Sequence, residues 1–388
     1  MPKNLLFIPG PVTVAQSVLD AMALPMIDHR GKRFAELLGS IAKRMQPIFG
    51  TSGDVLVLGG SGTGGLETAV GNMFGPGDTL LACPVGVFGQ RIIAIARTFG
   101  CTVEVLETPW GQGVDPAVLR ARLQADAEKK IIGVLLTHNE TSTGVQNDMA
   151  PLAQATREHG AYVVVDSVSG LAASEFTMDA WGFDVVVTAS QKALAVPPGL
   201  TMVAVSERAW EKMKQNPSPR FYFDLGKARE FASLGQTPWT PPVSIAYALD
   251  VALERYEREG AHAFWKRHAR YAHALRAAAT AMNLDVFSHE GAHSVTVVAL
   301  KVPVGIDGPA IQKRLREEHG FTIGGGQKEL KGKIFRLGTM GDLSSADMLA
   351  MLGAFEGALH DAGHAFARGA GTAAARAVLE GASVPVPA

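Results

Sequence analysis

Between about residues 55 and 205 the chain alternates short apolar runs with helix-like segments, and this alternation constrains its fold more than any other feature. The runs fall at 55–58, 79–83, 103–106, 131–137, 162–166, 184–188 and 200–205, and the helical patterns near 64–73, 88–98, 116–126 and 149–159. Strands separated by helices argue for an α/β architecture with a mostly parallel central sheet covered on both faces. A hydrophobic content of 47% can fill a sizeable core. The length of 388 residues suits two domains. We expect an extended arm at 1–15, around Pro9-Gly10-Pro11, and a large domain over 16–258. A smaller C-terminal α/β domain is expected over 259–388, its tail disordered from about 383. Residues 207–245 read as irregular, and 243–281 as one long helical stretch.

In open α/β sheets, ligands bind where parallel strands finish. The run Tyr162-Val163-Val164-Val165-Asp166 closes on an acid, and the run at 184–188 leads into Ser190-Gln191-Lys192, 26 positions beyond Asp166. An acid and a lysine delivered to one sheet edge suit pyridoxal phosphate, whose carbonyl the amine captures and whose pyridinium nitrogen the acid pairs with. Singly, each has an ordinary reading: a strand-terminal Asp as a helix cap, a lysine as a solvated surface group.

Gly59-Gly60-Ser61-Gly62-Thr63-Gly64-Gly65 follows a strand and opens a helix, where free backbone N–H groups attract phosphate and Ser61 and Thr63 add hydroxyls. The same glycines satisfy a dinucleotide-binding pattern. That pattern needs an acid closing the next strand, and the run at 79–83 ends instead in Cys83-Pro84. Phe88 stands just past that strand, where it could stack on a flat ring or simply fill core. Thr141 lies in the hydroxyl-rich turn after the run at 131–137. Arg336, flanked by apolar residues on a predicted strand, offers a fork that fits a substrate carboxylate.

Other chemistry is disfavoured. A net charge of −1 without a basic block argues against nucleic acid and anionic membrane as partners. Cys83 and Cys101 read as reduced core residues, and no secretory or membrane-spanning segment is evident, so a soluble, cytoplasmic protein is expected. His360 and His364 stand four apart without an intervening glutamate or further ligands, so no metal site is expected. No G-x-S-x-G elbow points to a serine hydrolase.

Taken in order, the motifs resemble the class V aminotransferases of the alanine–glyoxylate and serine–glyoxylate group, pyridoxal phosphate enzymes of fold type I. The matching segments include Phe7-Ile8-Pro9-Gly10-Pro11, Ser61-Gly62-Thr63-Gly64, Gly89-Gln90-Arg91, Val165-Asp166-Ser167-Val168, Ser190-Gln191-Lys192, Pro197-Pro198-Gly199 and Thr240-Pro241-Pro242. The turn at 137–144 and the Arg336 segment at 332–338 match as well. The resemblance implies that Lys192 is the Schiff-base lysine and Asp166 the pyridinium partner. It assigns phosphate binding to Ser61, Gly62, Thr63 and Gln191, with Thr240 supplied by the neighbouring subunit of a homodimer, whose interface the apolar residues 5–14 could also cross. It places Thr141 near the phenolic oxygen, Arg336 on the substrate carboxylate, and the backbone of Gly10 over it. Two positions depart from the group. Phe88 stands where tryptophan is common, and Thr237 where some members carry a phosphate-binding tyrosine. The implied activity is ping-pong transamination between alanine or serine and a 2-oxo acid such as glyoxylate. Ureidoglycine or pyridoxamine as amino donor remains open, and so does a desulfurase, which the strand-end positions of both cysteines disfavour.

Overall fold

A computed structural model describes residues 4–381; the expected disorder from about 383 lies outside them. Seven strands form the larger sheet in the spatial order Asp54–Gly60, Gly199–Val205, Val185–Ala189, Tyr162–Asp166, Ile131–Thr137, Thr79–Cys83 and Thr102–Val105. Gly199–Val205 runs antiparallel to both of its neighbours, and every other pairing is parallel. Six strands therefore finish at one edge, and the reversed strand begins there.

Side chains alternate across a strand, and both sides of this sheet are dry. Leu81, Cys83, Leu136, Val163 and Val165 face a core that includes Phe34 and Phe49 of the helix Lys32–Phe49. Leu80, Ala82, Leu135 and Val164 face the opposite core, closed by Leu66, Ile92 and Ile93 from the helices Gly62–Met73 and Val87–Thr98. Burial on both faces explains why these strands read as continuous apolar runs.

A second sheet orders Leu5–Phe7, Phe321–Gly325, Ile334–Gly338 and Val297–Lys301. Leu5–Phe7 pairs parallel to Phe321–Ile323, so part of the segment read as an arm is an edge strand of the C-terminal sheet. Leu5 and Phe7 join the core of that sheet with Leu275, Phe335 and Phe355, so these two of the apolar side chains expected to reach a second subunit are buried within their own chain, while Leu6, Ile8 and Val14 stay half-buried. The stretch at 243–281 is two helices, Val243–Glu259 and Ala261–Ala281, interrupted at Gly260. Within 207–245, read as irregular, the helices Glu207–Lys214 and Leu225–Ser233 begin at Ser206 and Asp224, whose side chains accept from Ala209 N and Lys227 N. The Ala-rich segment before the tail is also helical, Ala370–Glu380, and packs on Ala261–Ala281.

Candidate active site

The sheet edge where six strands finish opens on a cavity of about 250 Å³. Gly10, Ser61, Gly62, Thr63, Phe88, Thr141, Asp166, Gln191 and Lys192 all line it, together with Leu66, Arg91, Asn139, Val168 and Ser169. Nine of the eleven site residues singled out in the sequence thus converge on one volume. Arg336 and Thr240 do not line it.

Ser61 caps the helix Gly62–Met73, its hydroxyl accepting from Gly64 N at 3.4 Å. The first turn of that helix leaves N–H groups directed at the cavity end. Gly62 permits the helix to sit against the sheet-edge loops, because a Cβ there would lie 2.8 Å from both methyl groups of Val168.

Asp166 ends its strand buried, accepting from Val168 N at 3.0 Å. Burial pushes its carboxyl up to about 6; the charge of Glu140 adds to the rise, while the Val168 N–H, Lys192 and Arg91 oppose it. Lys192 Nζ donates to the Pro9 carbonyl at 2.6 Å. Burial pulls its ammonium down to about 8, with Arg336 and Arg91 acting the same way and Asp166 and Glu140 against. Such a lysine keeps a usable neutral fraction near neutral pH, the form that attacks a carbonyl. Gly10, at φ 121°, is where the N-terminal segment crosses the lysine; a Cβ there would lie 2.8 Å from Lys192 Nζ.

Phe88 lies in the first turn of the helix Val87–Thr98, and the Arg91 guanidinium sits 4.6 Å from its ring centroid. Arg91 Nη1 also donates to Thr63 Oγ1 at 3.1 Å. Arg91 received no individual role from the sequence, although its spacing from Phe88 puts both on one helix face. Arg336 is buried in the strand Ile334–Gly338, its Nε donating to Gly325 O at 2.7 Å and its Nη1 to Thr141 O at 2.9 Å. Two backbone carbonyls thus aim the guanidinium, and burial lowers its pKa.

Thr240 is exposed and borders a separate groove with Gly59, Tyr222 and Trp239. Thr237 is buried, its hydroxyl donating to Trp239 O at 2.8 Å. Cys83 and Cys101 are buried free thiols, with burial pushing them up to about 12 and about 11. Among the described residues no helix is long and apolar enough to cross a membrane.

Residues 13–336 match the family model described as Aminotransferase class-V. A protein of Anabaena cylindrica named soluble hydrogenase 42 kDa subunit is 39% identical, over 97% of this chain and 99% of its own. An L-aspartate–glyoxylate aminotransferase of Paracoccus denitrificans is 36% identical over 96% of both chains. A serine–glyoxylate aminotransferase of Arabidopsis thaliana is 35% identical over 97% of this chain and 96% of its own. Among solved structures, the ureidoglycine–glyoxylate aminotransferase of Bacillus subtilis superposes with a TM-score of 0.92 at 28% identity, covering 98% of this chain and 99% of that one. With a fold that superposes along its whole length and a family match spanning both sheets, this chain belongs to the class V aminotransferases.

Proposed function

We propose that this chain binds pyridoxal phosphate in the sheet-edge cavity and transfers an amino group from a small amino acid, alanine or serine, to a 2-oxo acid such as glyoxylate. The observation that carries this reading is the convergence of buried Asp166 and half-buried Lys192 on one cavity that also receives a helix N-terminus. Glyoxylate is the partner named in three of the four relatives above. The hydrogenase-subunit name suggests no task for a lysine and a buried acid that share one cavity.

The residues present fit the cofactor. Ser61, Gly62 N, Thr63 and Gln191 would hold its phosphate. Gln191 is half-buried and lines the cavity, where its Nε2 would be the group that donates to the anion. Phe88 and Val168 supply apolar walls for a flat ring, and Thr141 a hydroxyl near its phenolic oxygen. Bound there, pyridoxal phosphate supplies an electron sink and a carbonyl that exchanges one amine for another.

The chain's own groups do the rest. Lys192 Nζ, mostly neutral above about pH 8, would hold the cofactor's carbonyl carbon and, when free, would take the substrate α-proton and return it two atoms away, on the far side of the imine nitrogen. Asp166 would keep a proton on the ring nitrogen, and a cation there would lower its raised pKa again. Arg336, already aimed by Gly325 O and Thr141 O, holds the carboxylate common to amino donor and 2-oxo acceptor. The N-terminal segment at Pro9-Gly10 covers the lysine from above and helps exclude water. We further propose a homodimer in which Thr240 completes the phosphate site of the other copy.

The test is an amino-donor screen of the purified protein with glyoxylate and with pyruvate, using alanine, serine, aspartate, ureidoglycine and pyridoxamine. Alanine or serine with glyoxylate should give the highest kcat/KM. A preference for ureidoglycine or pyridoxamine would replace the donor assignment, and the lack of any transfer would sink the reading.

A further inference from the structure

Glu140 is wholly buried and has no cationic partner within salt-bridge distance among the described residues. Its carboxylate instead collects four neutral donors. Oε2 accepts from Phe88 N at 2.9 Å and Gly89 N at 3.0 Å; Oε1 accepts from Ser142 N at 3.0 Å and Ser142 Oγ at 2.6 Å. Ser142 Oγ in turn accepts from Val87 N at 2.9 Å. Three of the four donors to Glu140 are backbone N–H groups, which cannot turn round to accept. Two of them belong to the first turn of Val87–Thr98, where the helix dipole favours a negative charge. The donor geometry suits an anion; burial nevertheless leaves the pKa of Glu140 raised, with the bonds from Ser142, Gly89 and Phe88 opposing the rise.

What these bonds join is informative. On one side is the helix start that carries Phe88 and Arg91; on the other is the corner that carries Thr141. All three line the cavity. No backbone hydrogen bond among the described residues links 86–89 directly to 140–142, so side chains make the connection: Glu140 and Ser142, with Thr143 Oγ1 donating to Val85 O at 3.0 Å one residue outside them. A burial cost this large at a position remote from solvent is hard to account for by stability alone, because an apolar pair would fill the same space without desolvating a charge.

We propose that Glu140 is a positioning residue, whose buried carboxylate locks the Phe88 wall to the Thr141 corner and so fixes the width and tilt of the slot for the cofactor ring. The proposal rests on the reading that this cavity holds pyridoxal phosphate. It assigns Glu140 no contact with substrate or cofactor.

The experiment compares the holoenzyme with Glu140→Gln and Ser142→Ala, measuring pyridoxal phosphate affinity, the visible circular dichroism per bound cofactor, and the melting temperature. Glu140→Gln keeps the shape but turns an amide N–H toward backbone donors. It should weaken cofactor binding about tenfold and change the intensity or sign of the visible dichroism, which reports ring orientation. Ser142→Ala, which removes one donor and the acceptor for Val87 N, should shift both readouts less and in the same direction. A lowered melting temperature with wild-type affinity and dichroism in the folded protein would overturn the positioning role; should Glu140→Gln not fold, the same result in Ser142→Ala would do so. If the wild-type protein takes up no cofactor, the proposed function itself fails, an outcome distinct from either variant result.

Discussion

The larger sheet brings six strand ends to one edge, whereas the smaller sheet sends one charged side chain, Arg336, from the middle of an interior strand. Parallel strands must be joined by crossovers, so each strand end becomes a loop free to present a side chain, and Asp166 and Lys192 are set by that single frame. The smaller sheet is mostly antiparallel and borrows its edge strand from residues 5–7. The position of Arg336 therefore depends on how the two sheets pack, and its bond to Thr141 O is itself a tie across that packing. On the proposed reading, groups for cofactor chemistry would come from the first frame and the group for substrate recognition from the second, so variants on the two sides should fail differently.

The largest effect is expected at the sheet edge. Lys192→Ala should lower turnover by about 10⁴-fold or more, since it removes both the attachment point and the acid–base group. Borohydride, which fixes pyridoxal phosphate onto an amine, should label the wild-type peptide containing residue 192 and leave the variant unlabelled. Because burial pulls the Lys192 ammonium down to about 8, cofactor capture by the apoprotein should speed up as pH rises through that value and level off above it. A capture rate flat between pH 6 and 9 would contradict a titrating lysine.

On the other frame, Arg336→Ala should lose the preference for alanine over a simple amine such as ethylamine while still taking up cofactor. Removing a buried charge-assisted contact to a substrate ion costs about 2–5 kcal/mol, or roughly 30- to several-thousand-fold in kcat/KM. Arg336→Lys should recover part of this, because an ammonium lacks the two-pronged geometry. If the variant kept its preference, or lost cofactor as completely as Lys192→Ala, the division of labour between the two sheets would be wrong.

The same division explains what could be read from sequence. All seven apolar runs between 55 and 205 are strands, those at 103–106 and 184–188 displaced by a residue to Thr102–Val105 and Val185–Ala189; in the interior strands burial on both faces writes itself as an unbroken apolar stretch, whereas the edge strand Thr102–Val105 is only partly buried. Strand ends then singled out Asp166 and Lys192 as candidates, each with an ordinary reading until the other motifs were set beside them. Glu140 was hidden because its partners are backbone N–H groups 51 and 52 residues away, which leave no pattern in side chains. Leu5–Phe7 was read as an arm because its pairing partner lies more than 300 residues along the chain. The helices at Glu207–Lys214 and Leu225–Ser233 are short, and the prolines and aromatics around them masked their Ser206 and Asp224 caps. Arg336 was legible as a buried arginine; the two carbonyls that aim it were not.

Thr240 tests the comparison at its weakest point, since it borders Gly59 of the larger sheet yet is exposed and lies off the cavity of its own chain. If it acts in the other copy of a homodimer, Thr240→Ala should weaken pyridoxal phosphate binding by about tenfold, the loss of roughly one hydrogen bond to an anion, and leave kcat at saturating cofactor nearly unchanged. The decisive form of the experiment mixes Thr240→Ala subunits with Lys192→Ala subunits and lets them exchange. In the mixed dimer, one site pairs the lysine of the Thr240→Ala chain with the threonine of the Lys192→Ala chain and is whole; the other lacks both. Activity at limiting cofactor should therefore rise above that of either variant alone. Were Thr240 to act within its own chain, each mixed site would keep one defect and mixing would restore nothing. An unchanged activity on mixing, with subunit exchange verified by mass, would return Thr240 to the role its exposure alone suggests, a surface residue beside the Tyr222–Trp239 stack.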